Sequence, residues 1–203
     1  MSSDIVGRRR GVGSGLAFVV SGPSGAGKNS VIDRAMEGID GLAYSVSYTT
    51  RPPRSDETDG VDYFFVRPDE FVRRIEAGDF VEHVTYLGDQ YGTSRSQICA
   101  MAEQGLDVIL NIDVEGAKRV RASGLAGLAV VFIFLVPPSL THLEERLRAR
   151  GTESDEQIVA RIAVAAREME ALGLFDYLII NDSLDLAVGE LRAIAAAERL
   201  RIT

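Results

Sequence analysis

The chain has 203 residues, 46% of them hydrophobic, which fits one compact domain of ordinary size. Its formal net charge of −8 argues against a general nucleic-acid-binding protein, because affinity for a phosphate backbone needs a net positive face. No apolar run reaches the ~20 residues of a membrane span, so we expect no membrane partner. The single cysteine, Cys99, excludes an internal disulfide and is typical of the reducing cytoplasm; we interpret its side chain as a packing residue.

The first 15 residues are rich in Ser, Gly and Arg and contain no apolar core typical of a signal peptide. We interpret residues 1–15 as a flexible leader with a solvated run of arginines, Arg8, Arg9 and Arg10. The folded domain is then predicted to span residues 16–203.

From residue 16 onwards, strand-like and helix-like segments alternate, which is the pattern of a parallel sheet with helices on both faces. The strands are predicted at Leu16–Ser21 and at residues 106–112, 128–136 and 178–180. A helix is predicted after each strand: to about Met36, over residues 114–120, through Leu140, Leu143 and Leu147, and from Leu184 onwards. We therefore predict an α/β fold.

Residues 45–92 interrupt this alternation. Three short β-rich segments surround one helix that begins at Pro68: residues 44–49, 62–66 and Phe80–Tyr86. We therefore predict an inserted, mostly antiparallel subdomain between two core segments, residues 16–44 and 93–203.

A polar break at residues 150–156 separates two of the later helices. Ser154 and Gln157 have the spacing of a capping box, in which each residue hydrogen-bonds the backbone N–H of the other. This spacing predicts that a helix begins just after Ser154.

A glycine-rich loop directly follows the first strand and precedes a helix. Its sequence matches the G-x-x-x-x-G-K motif: Gly22, Pro23, Ser24, Gly25, Ala26, Gly27 and Lys28. The glycines let backbone N–H groups converge on a phosphate, the helix N-terminus adds its positive end, and Lys28 supplies a full charge. We predict that this loop, with Asn29 and Ser30, binds ATP; the motif identifies a phosphoryl donor but no acceptor.

The residue after the lysine departs from the motif, which has Ser or Thr there to ligate Mg²⁺ through its hydroxyl. This chain has Asn29. Because an amide oxygen is also a hard, neutral ligand, we expect Asn29 to be a weak direct ligand of Mg²⁺.

Further motifs occur in chain order at SVSYTTRPPR (45–54), Glu57, Gly60, DYFF (62–65), FVE (80–82), YGT (91–93), IDVEGA (112–117), PPS (137–139), RLRARGTE (146–153) and ND (181–182). Together with the phosphate loop they closely resemble the guanylate kinase family over nearly the whole chain. The resemblance implies a P-loop NTPase fold with an inserted GMP-binding subdomain and a small lid. It also implies Mg²⁺-dependent phosphorylation of GMP, and of dGMP, by ATP in purine nucleotide metabolism.

Two arginines lie three residues apart in a proline-stiffened loop. The guanidinium groups of Arg51 and Arg54 can therefore converge on one phosphate. The resemblance implies that this is the phosphate of GMP, with the hydroxyls of Tyr63 and Tyr91 donating to it.

Guanine has adjacent N1–H and N2–H₂ donors, which a carboxylate accepts and adenine does not offer. The family pattern places Glu82 in this role, helped by Asp113, with Ser47 and Thr93 hydrogen-bonding the base. Such a site rejects the wrong base because its own polar groups are left unpaired.

The resemblance also assigns residues to the donor side. Arg146 and Arg150 are four apart on one helix and share a face, and Arg161 follows on the next helix. These arginines belong to a lid at about residues 146–161 that neutralises the transferring phosphoryl group. The segment that lines adenine is Asn181 and Asp182.

A second departure from the family lies at Asn111, where Asp or Glu is usual near the metal. We expect Asn111 to lie one layer further from Mg²⁺ than Asn29. With both positions Asn, the strength and geometry of Mg²⁺ binding are expected to differ from the family pattern.

Two other functions remain open. A related kinase acting on ribose 1,5-bisphosphate tolerates a non-hydroxyl residue after the P-loop lysine. Such a kinase should lack the full set of GMP-binding residues that this chain keeps, which includes Glu82, Asp113, Tyr63 and Tyr91. A non-catalytic guanylate-kinase-like binding module typically has an eroded phosphate loop, whereas the loop here is intact.

Overall fold

The computed structural model describes residues 15–86, 88–125, 127–151 and 153–202. The side chains of Tyr86 and Arg150 lie outside this description, as does the predicted leader up to residue 14.

The strands are β1 (Leu16–Ser21), β2 (Leu42–Tyr44), β3 (Tyr48–Thr49), β4 (Phe64–Phe65), β5 (Phe80–Tyr86), β6 (Asp89–Ser94), β7 (Asp107–Asn111), β8 (Ala129–Val136) and β9 (Tyr177–Ile180). The helices are α1 (Lys28–Met36), α2 (Pro68–Glu76), α3 (Arg95–Glu103), α4 (Val114–Ser123), α5 (Leu140–Arg150), α6 (Asp155–Met169) and α7 (Leu184–Arg199), with a 3₁₀ helix at Glu170–Leu174.

The core is a five-stranded sheet in the order β2-β7-β1-β8-β9, and its strand pairs are all parallel. The central strand β1 is buried along its whole length because helices cover both faces of the sheet. One face packs against α1 and α7, through residues such as Ile32 and Leu191. The other packs against α3 and α4, through Ile98 and Val120. The predicted α/β fold is confirmed.

The four predicted core strands are present, but the sheet has a fifth, β2. Residues 44–49 were expected to form one β segment of the insertion. Instead Tyr44 ends β2 at the edge of the core sheet, opposite Ile109 of β7, and the chain then crosses to β3 in the second sheet. A three-residue edge strand is too short to show a period in the sequence.

The insertion forms a second sheet in the order β4-β3-β6-β5, with two antiparallel strand pairs and one parallel pair, β3 with β4. Strand β6 was not predicted, and it runs on to Ser94, two residues beyond the expected boundary at residue 92. Its sequence, DQYGTS, lacks alternating apolar residues. Its Gly92 is packed so closely that an added Cβ would lie 2.9 Å from the ring of Phe80.

The helix predictions at Pro68 and Ser154 are confirmed. Pro68 occupies the first turn of α2, and Ser154 and Gln157 form the capping box of α6. The interpretation of Cys99 as a packing residue is wrong: it lies on the exposed side of α3. Within the described part of the chain, no helix is long and apolar enough to cross a membrane.

The parallel strands of the core all end at one edge of the sheet, where ligands bind in open α/β folds. The phosphate loop follows β1 at this edge. Tyr44, Asn111 and Asn181 stand at the ends of β2, β7 and β9. The insertion adjoins the same edge, because β5 packs against α4, the helix that follows β7.

Candidate active site

The phosphate loop is held in shape by contacts that only glycine permits. Gly22 has φ +140°, and a Cβ there would lie 2.0 Å from the carbonyl oxygen of Leu135 in β8. Gly27 has φ +93°, and its Cβ would lie 2.5 Å from Nδ2 of Asn181. The loop is therefore pressed against the ends of β8 and β9, with α1 beginning at Lys28.

Lys28 folds back over this loop. Its ammonium donates to the carbonyl oxygens of Gly22 at 2.6 Å and Pro23 at 3.2 Å. Burial lowers the pKa of Lys28 to about 8, partly offset by the negative charges of Glu168 and Asp113. A cation in this position can meet the phosphates of a nucleotide bound in the loop.

Arg146 and Asn181 close the other side of the loop. The guanidinium of Arg146 donates to the carbonyl oxygen of Asn181 at 2.6 Å and to that of Ala26 at 3.4 Å. The amide of buried Asn181 also donates to the Ala26 carbonyl, at 2.8 Å. These bonds join α5, the end of β9 and the phosphate loop, so the structure brings Arg146 and Asn181 together with it.

The two asparagines singled out in the sequence are hydrogen-bonded to each other. Nδ2 of Asn111 donates to Oδ1 of Asn29 at 2.7 Å, which joins the end of β7 to the first turn of α1. Burial raises the pKa of Tyr44, at the end of β2, to about 12, and the neighbouring Asn111 partly offsets this effect. Asn29 and Asn111 thus place neutral amide oxygens at this edge of the sheet. Such ligands suit an Mg²⁺ ion that is held chiefly by the oxygens of a nucleotide.

A buried carboxylate lies where the insertion meets the core. Glu82 of β5 is 7% exposed and accepts a hydrogen bond of 2.6 Å from the hydroxyl of Thr93 on β6. Asp113 caps α4 by accepting from the N–H of Gly116. A Cβ at Gly116 would lie 3.0 Å from Glu82 and 3.1 Å from Asp113, so both carboxylates border this glycine. Burial raises the pKa of Glu82 to about 7, and Asp113 adds to the effect.

Arg51 is held by a carboxylate and by aromatic rings. Its guanidinium bonds Glu57 at 2.7 Å and lies 5.6 Å from the ring centre of Tyr63. The ring centres of Tyr63 and Tyr91 are 5.9 Å apart. The hydrogen bond with Glu57 raises the pKa of Arg51 further above its ordinary value, and the same contact lowers the pKa of Glu57. Three of the predicted phosphate-binding residues are thus assembled.

Other predicted residues stand apart from these groups. Arg161 pairs with Glu153 at 2.9 Å, within the region predicted as a lid. Arg54 is exposed and its guanidinium lies 3.9 Å from Glu57. Asp182 and Ser30 are exposed, and Ser47 is half-buried beside β3. The side chain of Arg150 lies outside the described residues.

Two acidic residues were not predicted to have a role at the site. Glu57 fixes Arg51 and also accepts from the backbone N–H of Arg54 at 2.8 Å. The sequence could have indicated this role, because Glu57 closely follows Arg51 and Arg54 in the same loop. The negative charge of Glu168, on α6, raises the pKa of Lys28, and nothing in the sequence pairs residues so far apart.

The fold and the loop define a class. A parallel sheet whose central strand leads through a G-x-x-x-x-G-K loop into a helix, with a second polar site beside it, is the architecture of a P-loop kinase.

Comparisons with known proteins narrow this class. The family model described as guanylate kinase matches residues 15–198. A curated guanylate kinase from Alkalilimnicola ehrlichii is 45% identical over 188 residues, which is 93% of this chain and 91% of the relative. The crystal structure of guanylate kinase from Anaplasma phagocytophilum superposes with a TM-score of 0.75 at 30% identity, covering 92% of this chain and 87% of that one. The chain belongs to the guanylate kinase family.

Proposed function

We propose that this protein phosphorylates GMP with ATP, and that the residues assembled at the strand ends carry out the reaction. The observation that carries the proposal is the buried Glu82 carboxylate, bonded by Thr93 and bordered by Asp113. A phosphate loop binds many nucleotides, whereas a buried acceptor between insertion and core selects a particular second substrate.

Glu82 is proposed to bind guanine. As a carboxylate it accepts from N1–H and N2–H₂, and these donors replace the water that burial has removed. Asp113 stands next to it, and Ser47 and Thr93 complete the contacts to the base. Adenine presents an acceptor where guanine has N1–H, so a bound adenine would set this acceptor against the buried Glu82 carboxylate, which would keep Thr93 as its donor but gain none from N1.

Arg51 is proposed to bind the phosphate of GMP, with Arg54, Tyr63 and Tyr91. Glu57 and the carbonyl oxygen of Pro52 orient the guanidinium of Arg51, and its remaining N–H groups are proposed to donate to a phosphate oxygen. Arg54 is exposed and has to move towards the ligand.

In the reaction, a phosphate oxygen of GMP attacks the γ-phosphorus of ATP in line, and ADP leaves. The attacking oxygen is already largely ionised at neutral pH, so the reaction needs no general base. Lys28 and the backbone N–H groups of the loop hold the donor phosphates. Arg150 and Arg161 are proposed to reach the transferring group when the lid, at about residues 146–161, closes and excludes water.

Arg146 is proposed to act from where it stands. Its bonds to the carbonyls of Ala26 and Asn181 orient the phosphate loop and the adenine-lining segment of Asn181 and Asp182. Arg146 therefore differs from Arg150 and Arg161, because it supports the donor site by orienting the loop and not by reaching the transferring group.

Magnesium fits the residues at the end of β7. Asn29 is proposed to offer its amide oxygen, with Asn111 one layer behind. A bound Mg²⁺ would supply charge neutralisation at the donor phosphates. The single cysteine supports a cytoplasmic location for the enzyme.

The deciding experiment measures ADP release from ATP with GMP, dGMP, AMP, UMP and ribose 1,5-bisphosphate as acceptors, with and without Mg²⁺. We expect GMP, and to a smaller extent dGMP, to be used. Preference for ribose 1,5-bisphosphate would assign the chain to the related kinase. If no acceptor is phosphorylated, the remaining function is that of a non-catalytic guanylate-kinase-like binding module.

Glu82→Gln tests the guanine assignment. It exchanges an acceptor for a donor and removes a charge-assisted hydrogen bond of roughly 1.5–3 kcal/mol, so kcat/KM for GMP should fall roughly 10- to 100-fold. Glu103→Gln, at the exposed end of α3, is the matched control. Equal use of GMP by the Glu82 variant and wild type would contradict the assignment.

A further inference from the structure

A glutamate in the turn before α6 pairs with an arginine two turns into the helix. Nη1 of Arg161 lies 2.9 Å from Oε1 of Glu153, and the Glu153 side chain is only 12% exposed. Its other oxygen, Oε2, is buried, and no donor in the described part of the chain lies within hydrogen-bonding distance of it. Releasing the arginine would leave a nearly buried carboxylate without its cation. The pair therefore holds the guanidinium in place.

Helix capping does not account for the burial of this glutamate. Ser154 and Gln157 already form the capping box of α6. The exposed Asp155 supplies a negative charge to the first turn of the helix. Glu153, one residue before the cap, is thus withdrawn from solvent without serving the helix N-terminus. Its ion-pair partner among the described residues is Arg161, eight positions along the chain.

Arg161 lies on the face of α6 that packs against α5, the helix in contact with the phosphate loop. Ala165, one turn further along the same face, belongs to a buried cluster with Leu143 and Leu147 of α5. A Cβ at Gly25 of the phosphate loop would lie 2.9 Å from Leu143 and 3.1 Å from Leu147. The two leucines thus connect the helix face that carries Arg161 to the loop proposed to bind ATP.

We propose that Glu153 is a positioning residue for phosphoryl transfer: it holds Arg161 so that the remaining N–H groups of the guanidinium donate to the transferring phosphoryl group. The inference rests on the proposed assignment of Arg161 to that group. A guanidinium has five N–H donors, so it can keep one carboxylate and still bind phosphoryl oxygens. A side chain that is already held loses less freedom when the reacting groups meet. The Glu153 charge also weakens the attraction of Arg161 for phosphate, and the proposal requires that orientation outweighs this effect.

The test is the steady-state kinetics of the full chain with ATP, GMP and Mg²⁺. Glu153→Gln keeps the size of the side chain and removes its charge. We expect kcat to fall about fivefold, the order expected when a partly exposed ion pair is lost. KM for ATP and for GMP should change less than about twofold, because the arginine meets charge that develops in the transition state. Glu144→Gln breaks the exposed ion pair with Arg148 on α5 and should leave kcat unchanged. An unchanged or higher kcat for Glu153→Gln would overturn the proposal.

A double-mutant cycle shows whether the effect passes through Arg161. In an Arg161→Met background, which is itself slow, Glu153→Gln should lower kcat no further. A fall of the same size in both backgrounds would mean that Glu153 supports the lid as a whole, and would overturn the positioning role. Glu153→Asp keeps the charge and tests the role independently if the Gln variant is poorly folded. Its kcat should stay within about twofold of wild type, and a fivefold fall would count against the proposal.

The same kinetics separate this inference from the proposed function. ADP release by the wild type with GMP tests the function, whereas the ratio of variant to wild type tests the inference. If Arg161→Met is slow and Glu153→Gln is as fast as wild type, only the inference fails. If Arg161→Met is as fast as wild type, the role of Arg161 and the inference fail together while GMP phosphorylation stands. A wild type that releases no ADP with GMP would overturn both the function and the inference.

Discussion

At the scale of single residues, the site is built from charged side chains that the fold has buried or paired. Glu82 is a buried carboxylate with one hydroxyl donor, and Arg51 is an arginine already paired with an acid. Each is ready for a ligand group of defined chemistry. Each also contributes to stability in a way that can be measured without substrate.

The buried Glu82 should make stability depend on pH. Its pKa is raised to about 7 from 4.5, so between these pH values the folded protein keeps a proton that the unfolded chain releases. Stability therefore falls as pH rises through this window, and the loss is complete above about pH 7. Glu82→Gln abolishes this penalty. Its free energy of unfolding relative to wild type should rise by about 2 kcal/mol between pH 5 and pH 8.

Urea unfolding at both pH values, with Glu103→Gln as the control for loss of a charge, measures this difference. A gap between variant and wild type that does not change with pH would show that the carboxylate is solvated in the folded protein.

Arg51→Lys separates charge from geometry. Lysine keeps the positive charge but cannot contact Glu57 and a phosphate oxygen with two edges of one planar group. We expect kcat/KM for GMP to fall roughly 10- to 100-fold, because about one charge-assisted hydrogen bond is lost. The melting temperature should change little. Arg54→Lys, at an exposed position, should cost less, and equal losses at both positions would disprove a special role for Arg51.

At the scale of secondary-structure elements, the metal side of the site is a contact between α1 and β7. The Asn29–Asn111 hydrogen bond joins the two, and its direction leaves the Asn29 oxygen as acceptor. If Asn111 became Asp, the Asn29 amide would have to turn to donate its N–H and would carry its oxygen away. The two positions are therefore coupled.

We expect the double change Asn29→Ser with Asn111→Asp to lower the Mg²⁺ concentration for half-maximal activity about fivefold, because it restores a hydroxyl and one negative charge. The two single changes should not add, since they alter one hydrogen bond. The measurements are Mg²⁺ titrations of all four variants at fixed ATP and GMP, and the Mg²⁺-dependent rise of melting temperature with ADP.

Superimposable titrations would remove both asparagines from the metal's surroundings. An inactive parent that the double change restores would mean that this chain has lost the proposed kinase activity.

At the scale of the whole molecule, the C-terminal helix is tied to the sheet by a buried ion pair. Arg199 of α7 bonds Asp107 of β7 at 2.8 Å, and the Asp107 side chain is fully buried. Asp107 also accepts from the backbone N–H of Leu16 at the start of β1. One carboxylate thereby joins α7 to two neighbouring core strands.

Arg199→Met should destabilise the protein by about 3 kcal/mol, because it leaves a buried carboxylate without its cation. The exposed pair of Arg34 with Asp185, also on α7, provides the matched control, and Arg34→Met should cost less than about 1 kcal/mol. Denaturant unfolding measures both. Equal costs would mean that Asp107 is satisfied by the Leu16 N–H alone.

The amino-acid sequence by itself determined the elements with a long apolar run or a local signal. The strands β1, β7 and β8, the phosphate loop, the start of α2 at Pro68 and the capping box of α6 could be predicted because a few neighbouring residues specify each of them. The family motifs then selected the site residues. From the sequence alone, it was only an expectation that these residues lie together in the folded protein.

Only the tertiary structure decided the rest. Strands β2 and β6 are short or polar and form because a neighbouring strand supplies the hydrogen bonds, so no local period marks them. The pairs Arg51–Glu57 and Asn29–Asn111 depend on how the loops, strands and helices pack. The second pair brings together residues 82 positions apart, and a contact at such separation is set by packing and by nothing local in the chain.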